Sequence, residues 1–464
     1  MRRITRNDML AAASVLALAV GAPATAFAQS LEEALVQTYL TNPTIGAQRA
    51  LLRATDEQVP RALGGWRPTV TFTADAGRVQ ESQSQNLFDQ TTAGTQSLNR
   101  WQRTYSLAVT QPLFRGFRTV AETERAEQRV NAERQRLSAT EQLVFRDAVT
   151  AYLNVVRDEA VLDLNINNEQ VLRKQLEATL DRFEVGEVTR TDVSQAEARL
   201  ARSTAERIGS EGALETSRAI YQRIVGEMPV KLTEPPLPKD LPGNLQETIT
   251  LASTNNPTVR AADFDQKAAQ ADVDLVFGEL LPTVAFVGEL RKDDNTIDTY
   301  SRDKSARALA RLTVPLYQAG TVEARVREAK QVAGQRRIQV DQARRQVVED
   351  AISAWQDMTS AHAQVDAFTK QTEANRIALE GVEQEATAGL RTVLDVLDAE
   401  QELRDSRVSL VRARRDYVVG AYRVRYAVGS LTSAYLNLPV ERYDPLKHYN
   451  EVRDKWIGTG VPKE

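Results

Sequence analysis

The residues best placed to do chemistry in this sequence are hydroxyls and acids at two matching sites. Thr189 with Asp192, and Thr392 with Asp395, have the spacing of a capping box. There a threonine hydroxyl and an acid three residues on satisfy the free N–H groups that open a helix. Gly186 and Gly389 precede them, suited to the left-handed turn that ends a helix. Asp398 lies three residues beyond Asp395 on the same helix face, so one cap cannot use both acids; repeated by symmetry they would form acidic rings. Catalytic chemistry finds little support. The chain has no cysteine, which excludes a disulfide framework, a thiolate metal site, a cysteine nucleophile and a lipid-modified cysteine anchor. His362 and His448 stand far apart without a ligand cluster and read as a helix-surface and a tail residue. We find no nucleotide or phosphate loop, and acidic runs read as solvated helix faces. No catalytic residue, cofactor or metal site is assigned, and an enzyme is not expected.

Composition narrows the class further. With 59 Lys+Arg against 63 Asp+Glu the net charge is -4, and the pI is near 5.7. Nothing there attracts nucleic acid, which needs a basic surface. Residues 1–28 read as a signal peptide: Arg2, Arg3 and Arg6, an apolar stretch from Met9 to Val20, then Ala26-Phe27-Ala28, with cleavage expected before Gln29. Beyond Gln29 no run of about 18 apolar residues could form a membrane-spanning helix.

The elements that must position the two sites are written twice. Leu31, Glu33, Asn42-Pro43-Thr44, Gly64, Pro68-Thr69-Val70 and Phe72 recur 214 positions later, from Leu245 to Phe286. Thr110, Pro112-Leu113, Asp147-Ala148, Gly186, Thr189, Asp192 and Gly226 recur 203 positions later, from Thr313 to Gly429. The second copy has lost 11 residues in the segment before Pro315, which marks a surface loop. Repeat 1 spans 29–226 and repeat 2 spans 245–430, with a Pro-rich equatorial linker at 227–244 and a tail at 431–464. The tail is either part of a waist or irregular.

Each copy holds a long proline-free run, from Leu113 to Met228 and from Leu316 to Leu438. Both are rich in helix formers. Val130, Leu137, Val144 and Ala151 recur at sevens, with Ala148, Val155 and Leu162 four residues on, a coiled-coil seam. Glycine turns at Gly186 and Gly389 fold each run into a helical hairpin. The helix over about 118–183 would reach roughly 100 Å at 1.5 Å per residue. The return helix, about 191–225, and an opening helix, about 31–63, would stack end to end against it.

Between these helices the period changes to two. Strands are expected at 69–77, 104–113, 283–291 and 305–315, about the length of a tilted membrane strand. Aromatics flank them: Trp66, Phe114, Phe117 and Tyr317 at one end, Phe88, Trp101, Tyr105 and Tyr300 at the other. Half-buried strands of soluble hairpins alternate too. Four strands cannot close a barrel, and lipid cannot satisfy an open sheet edge, so spanning strands require subunits to share one barrel. Three chains would supply twelve strands, though counting alone does not choose three. The expected fold is mainly α with β: tandem helical hairpins forming an α-helical tunnel, plus a shared transmembrane β-barrel.

These residues resemble the TolC-like outer-membrane channels of efflux pumps and type I secretion systems. The likeness rests on the tandem repeat, on Asn42-Pro43 with Asn256-Pro257, and on Gln111-Pro112-Leu113-Phe114 with Val314-Pro315-Leu316-Tyr317. It also rests on Gly186-x-x-Thr189-x-Thr191-Asp192-Val193 with Gly389-x-Arg391-Thr392-x-x-Asp395-Val396-Leu397-Asp398. The resemblance implies a homotrimer with a twelve-stranded barrel in outer-membrane lipid and a periplasmic helical tunnel. It implies a passive conduit for small molecules or secreted proteins, engaged by a periplasmic adaptor (membrane fusion) protein and an inner-membrane ABC or proton-driven transporter.

By that resemblance Asp395 and Asp398 line the periplasmic entrance, and we expect their acidic rings to favour cations. Thr191, Asp192 and Arg391 belong to links that hold the entrance closed, and the tips around Gly186, Thr189, Gly389 and Thr392 meet the adaptor. Two departures stand out. The glycine pair that often follows the first Pro-Leu-Phe reads Arg115-Gly116-Phe117 here, with Ala319-Gly320 in the second copy. An aromatic common three residues before the second tip glycine is Ala386. The alternative function is a periplasmic coiled-coil scaffold or adaptor without a pore.

Overall fold

The computed structural model describes residues 29–84, 95–297 and 300–461. The signal peptide and Phe88 lie outside the described residues. Repeat 1 opens with α1 (Leu31–Thr41), α2 (Pro43–Asp56) and α3 (Gln58–Leu63). The single helix expected over 31–63 is therefore three. Pro43 lacks the N–H a continuous helix would need, and Asn42 ends α1 in an extended conformation while its side chain accepts the Thr44 N–H at 2.9 Å to start α2. The Asn42 amide also donates to the Ile224 carbonyl at 2.8 Å. Asn256 repeats this arrangement, accepting from Thr258 N–H and donating to the Ala427 carbonyl. Asn-Pro thus ties each opening helix to the end of its return helix.

A hairpin of β1 (Thr69–Ser84) and β2 (Thr95–Arg115) follows, then α4 (Arg118–Glu184) and α5 (Arg190–Val225). Repeat 2 has α6 (Leu245–Asn255), α7 (Pro257–Phe277), β3 (Thr283–Asp294), β4 (Arg302–Thr313), α8 (Thr321–Thr387) and α9 (Val393–Ala427). Helices α4 and α8 are each 67 residues long, about 100 Å. Along α4, Val130, Leu137, Val144, Ala148, Ala151 and Val155 are buried, so the heptad stripe is the packing seam. Helices α1 to α3 pack on the first half of α4 and α5 on the second. The two repeats meet where α4 touches α7 and α9.

The largest buried cluster lies half-way along α4, where Phe145 and Tyr152 meet Leu35, Tyr39, Tyr221, Leu431 and Leu438. Each such side chain contributes about 1.5–3 kcal/mol through burial. The Tyr152 hydroxyl accepts the Thr233 N–H at 3.0 Å and lies 2.8 Å from the Gln29 carbonyl. That fixes the Pro-rich linker at this waist. The tail is there too: Glu141 accepts the Ser433 N–H at 2.6 Å, the Tyr39 hydroxyl accepts the Tyr443 N–H, and α10 (Lys447–Val452) packs on α2. His448, expected as a plain tail residue, is buried with Nδ1 3.2 Å from Asp56. His362 lies on the α8 surface, stacked on Tyr417.

The four strands form one antiparallel sheet in the order β1-β2-β3-β4, with a register shift between Pro112 and Phe114. The strands of repeat 1 run past their expected ends, because β1 and β2 stay paired from Thr69↔Thr110 to Ser84↔Thr95. β3 runs to Asp294, whereas β4 starts at Arg302 and stops at Thr313, where Val314-Pro315 leaves the ladder.

Candidate functional site

Each hairpin tip is built by the same backbone device. At the end of α4 the Gly186 N–H bonds to the Phe183 carbonyl and the Glu187 N–H to that of Arg182, at 3.0 and 2.9 Å. At the end of α8 Gly389 bonds to Ala386 and Leu390 to Glu385 at the same two lengths. This double bond pattern needs a left-handed residue, and Gly186 and Gly389 supply it at φ +81° and +78°. The returning helices then open on full capping boxes. Asp192 accepts the Thr189 N–H at 2.8 Å and hydroxyl at 2.8 Å; Asp395 accepts the same groups of Thr392 at 2.9 and 2.8 Å. Those bonds, the backbone N–H first, hold both carboxyls below the usual carboxylate range, and Arg391 adds its charge at Asp395.

The second acid of the entrance motif is used differently. Asp398 accepts from Arg199 of α5 at 2.5 Å, and Arg199 also donates to Gln401. About two turns on, Arg404 of α9 pairs with Glu206 of α5 at 2.8 Å. These contacts clamp one return helix to the other. Arg391 pairs with Glu385 of its own hairpin at 2.8 Å, and Thr191 is exposed. Within the chain, then, the structure brings Asp395 to its cap, Asp398 to Arg199 and Arg391 to Glu385; it does not bring Asp192 and Arg391 together. Arg199, Glu206, Gln401 and Arg404 escaped the sequence reading. Their signal is opposite charges seven residues apart on α5, Arg199 and Glu206, against opposite charges six apart on α9, Asp398 and Arg404.

At the other end of the molecule the two sheet faces differ in kind. One face carries Val70, Phe72, Leu107, Val109, Val284, Phe286, Leu290 and Leu312, with Ala306, Ala308 and Ala310 between them. The opposite face carries Thr69, Thr71, Thr73, Ser106, Thr110, Glu289, Arg291, Ser305 and Arg307. The apolar rows run from Val284 to Leu290, about 20 Å of strand before tilt, a narrow belt suited to the thin bacterial outer membrane. Phe114 and Phe117 meet edge to face at its lower end, at 5.1 Å. Trp66 and Tyr317 are exposed there, and Trp101, Tyr105 and Tyr300 are exposed at the upper end. An outer face of hydrocarbon with aromatic rims and an inner face of hydroxyls and charges is the pattern of a membrane barrel wall.

A profile of the family described as outer membrane efflux protein matches residues 34–227 and 248–430. The chain belongs to the outer membrane efflux protein family. The match covers both repeats. Outer membrane efflux protein BepC of Brucella suis is 32% identical over 457 residues, covering 98% of this chain and 97% of that relative. Outer membrane protein TolC of Vibrio cholerae is 25% identical, covering 88% of this chain and 92% of its own length. The outer membrane channel CmeC of Campylobacter jejuni superposes with a TM-score of 0.77 at 15% identity, over 91% of this chain and 89% of that one.

As an outer membrane efflux protein the chain is a channel-tunnel of the outer membrane that extends into the periplasm. Its helical hairpins are the tunnel wall and its sheet is a share of the barrel. Channels of this family work with adaptors and inner-membrane transporters. A pore-free scaffold is set aside: it gives no reason for a sheet with a lipid-width apolar belt across one face.

Proposed function

We propose that three copies of this chain close into one passive conduit. The observation that carries this reading is the sheet: an apolar belt on its outer face and two outer edges, β1 and β4, that have no strand partner among the described residues. In lipid those edges must be paired, and β4 of one copy beside β1 of the next closes twelve strands. The helices leave matching flanks, since α8 packs mainly on α6, α7 and α9 of its own chain and α2 mainly on α4. The tube does no chemistry on its cargo. The cargo is small molecules or secreted proteins. A periplasmic adaptor docks at the tips, and an ABC or proton-driven transporter supplies the energy. Cleavage before Gln29 fits a first residue that is already tied in, with its N–H on the Lys231 carbonyl at 2.8 Å and its side chain on Tyr221.

The test of the conduit is outer-membrane fractionation, heat-modifiable oligomer migration and single-channel recording. A monomer that forms no pore in a planar bilayer defeats the reading. N-terminal sequencing should find Gln29, and Met1 on the mature protein would remove the cleavage. At the entrance we assign cation selectivity to Asp395 and Asp398. Replacing both with Ala should lower cation preference and block by multivalent cations; unchanged block removes that assignment.

A further inference from the structure

The upper rim of the lipid-facing sheet carries charge that neither the barrel nor the tunnel needs. Immediately above Phe72, Leu107, Leu290 and Ala306, the next row on the same face is Ala74, Tyr105, Lys292 and Lys304. The row above that is Ala76, Arg103, Asp294 and Arg302, and Arg78 stands opposite Trp101 one row higher. This gives five cations against one acid on one face. Lys292 is held by Asp294 at 3.0 Å and lies 5.7 Å from the Tyr105 ring centre. Among the described residues no ion pair is formed by Arg103, Arg302 or Lys304. The lower rim differs, because Trp66, Phe114, Phe117 and Tyr317 border it with neutral rings.

The register makes the cluster costly if left alone. Lys292 and Lys304 are direct cross-strand partners, a position where like charges destabilise the pair. An anion seated between them reverses that sign. Below the pair a shallow groove of about 420 Å³ runs over Phe72, Tyr105, Leu107 and Leu290. A ligand for this surface needs an anionic head at the level of the lysines and acyl chains beneath it. The rim is the end of the sheet farthest from α4 and α8, so it faces the outer leaflet.

We propose that this rim binds the phosphate groups of the outer-leaflet glycolipid, with Lys292, Lys304 and Arg103 contacting phosphate and the groove taking an acyl chain. The inference rests on the barrel reading above, which makes this face the outer one. In it Arg78 on β1 of the next copy stands beside β4 and adds to the same patch. Lysine serves here as a point charge, whereas Arg103 can offer a two-pronged contact.

The experiment uses the purified full-length oligomer in detergent, freed of lipid. Bis-phosphorylated lipid A, the same lipid without phosphates, phosphatidylglycerol and inorganic phosphate are each titrated, with bound lipid read by native mass spectrometry. Lipid A should bind at least ten-fold more tightly than the other three. Lys292→Gln with Lys304→Gln should lose that preference while keeping the heat-modifiable oligomer, and Lys292→Arg with Lys304→Arg should retain it. Equal binding of the dephosphorylated lipid, of phosphatidylglycerol or of inorganic phosphate overturns the proposal, as does undiminished binding by the glutamine variant. If the unaltered chain fails to reach the outer membrane, the barrel reading falls and this inference with it; if it arrives there and ignores lipid A, only the inference falls.

Discussion

Repeat 1 and repeat 2 make the same backbone and bury it differently. At the base of the barrel both copies place two left-handed residues in succession: Gly116 and Phe117 at φ +60° each, Ala319 and Gly320 at +54° and +72°. The glycine comes first in one copy and second in the other. A Cβ on Gly116 would lie 2.4 Å from the Gly278 carbonyl oxygen, whereas one on Gly320 would meet nothing within 4 Å. The difference is position in the chain: repeat 1 lies against α7 at this level, while α8 is the open flank. The backbone conformation is thus a property of the repeat, and crowding is a property of the neighbour. The largest predicted effect follows. Gly116→Val combines a left-handed β-branched residue with a clash against backbone, together about 3 kcal/mol or more, and should abolish the heat-modifiable oligomer. Gly320→Ala carries only the left-handed penalty, about 1–2 kcal/mol, and should keep it. Equal loss in both variants would break the comparison.

The tips sharpen it at smaller magnitude. Their caps match in every bond, so Thr189→Ala and Thr392→Ala should each weaken the start of a return helix by about 1 kcal/mol. Amide exchange over 189–193 and 392–396 checks this, and a two-fold disparity between tips would show that something beyond the cap holds one of them. Beyond the caps the copies diverge, because only repeat 2 has Asp398, held by Arg199. Arg199→Ala should therefore free that carboxylate and strengthen cation preference in single-channel recordings, the reverse of the double Asp variant. Arg391→Ser should raise closed-state conductance by releasing the pair with Glu385.

Much of this was legible beforehand, for identifiable reasons. Helices without prolines, glycines at their ends and threonine three residues before an acid are local signals, so α4, α8 and both tips could be read from spacing. Strand length in β1 and β2 could not: above the belt Arg78, Gln80, Trp101 and Arg103 face outward, and a strand with polar residues on both faces loses the alternation that marks it. The clamps between α5 and α9 stayed hidden because charged residues cover every exposed helix face, and pairing appears only when the faces meet. Asp56 and His448 lie 392 residues apart. No spacing rule reaches that far.

That pair sets the finest contrast between the copies, since α10 of the tail docks on α2 of repeat 1. Two acids that meet the tail have no acidic counterpart in repeat 2: Asp56 corresponds to Gln270 and Glu141 to Arg344. Burial pushes both carboxyls above the usual range, against the partial opposition of His448 and Arg134 at Asp56 and of the Ser433 N–H, Arg49 and Arg442 at Glu141, with Glu57 adding to the rise at Asp56. An acid whose folded pKa is raised binds its proton more tightly in the docked state. Its ionisation therefore works against docking at high pH, and that opposition fades as pH falls through the raised pKa toward the ordinary carboxylate range. Amide exchange over 432–452, corrected for intrinsic rate, should slow on going from pH 8 to pH 5. Asp56→Asn with Glu141→Gln should flatten the dependence, while exchange in α6 of repeat 2 should barely respond. Tail protection that instead grows with pH would mean that ion pairing, not burial, governs these two acids.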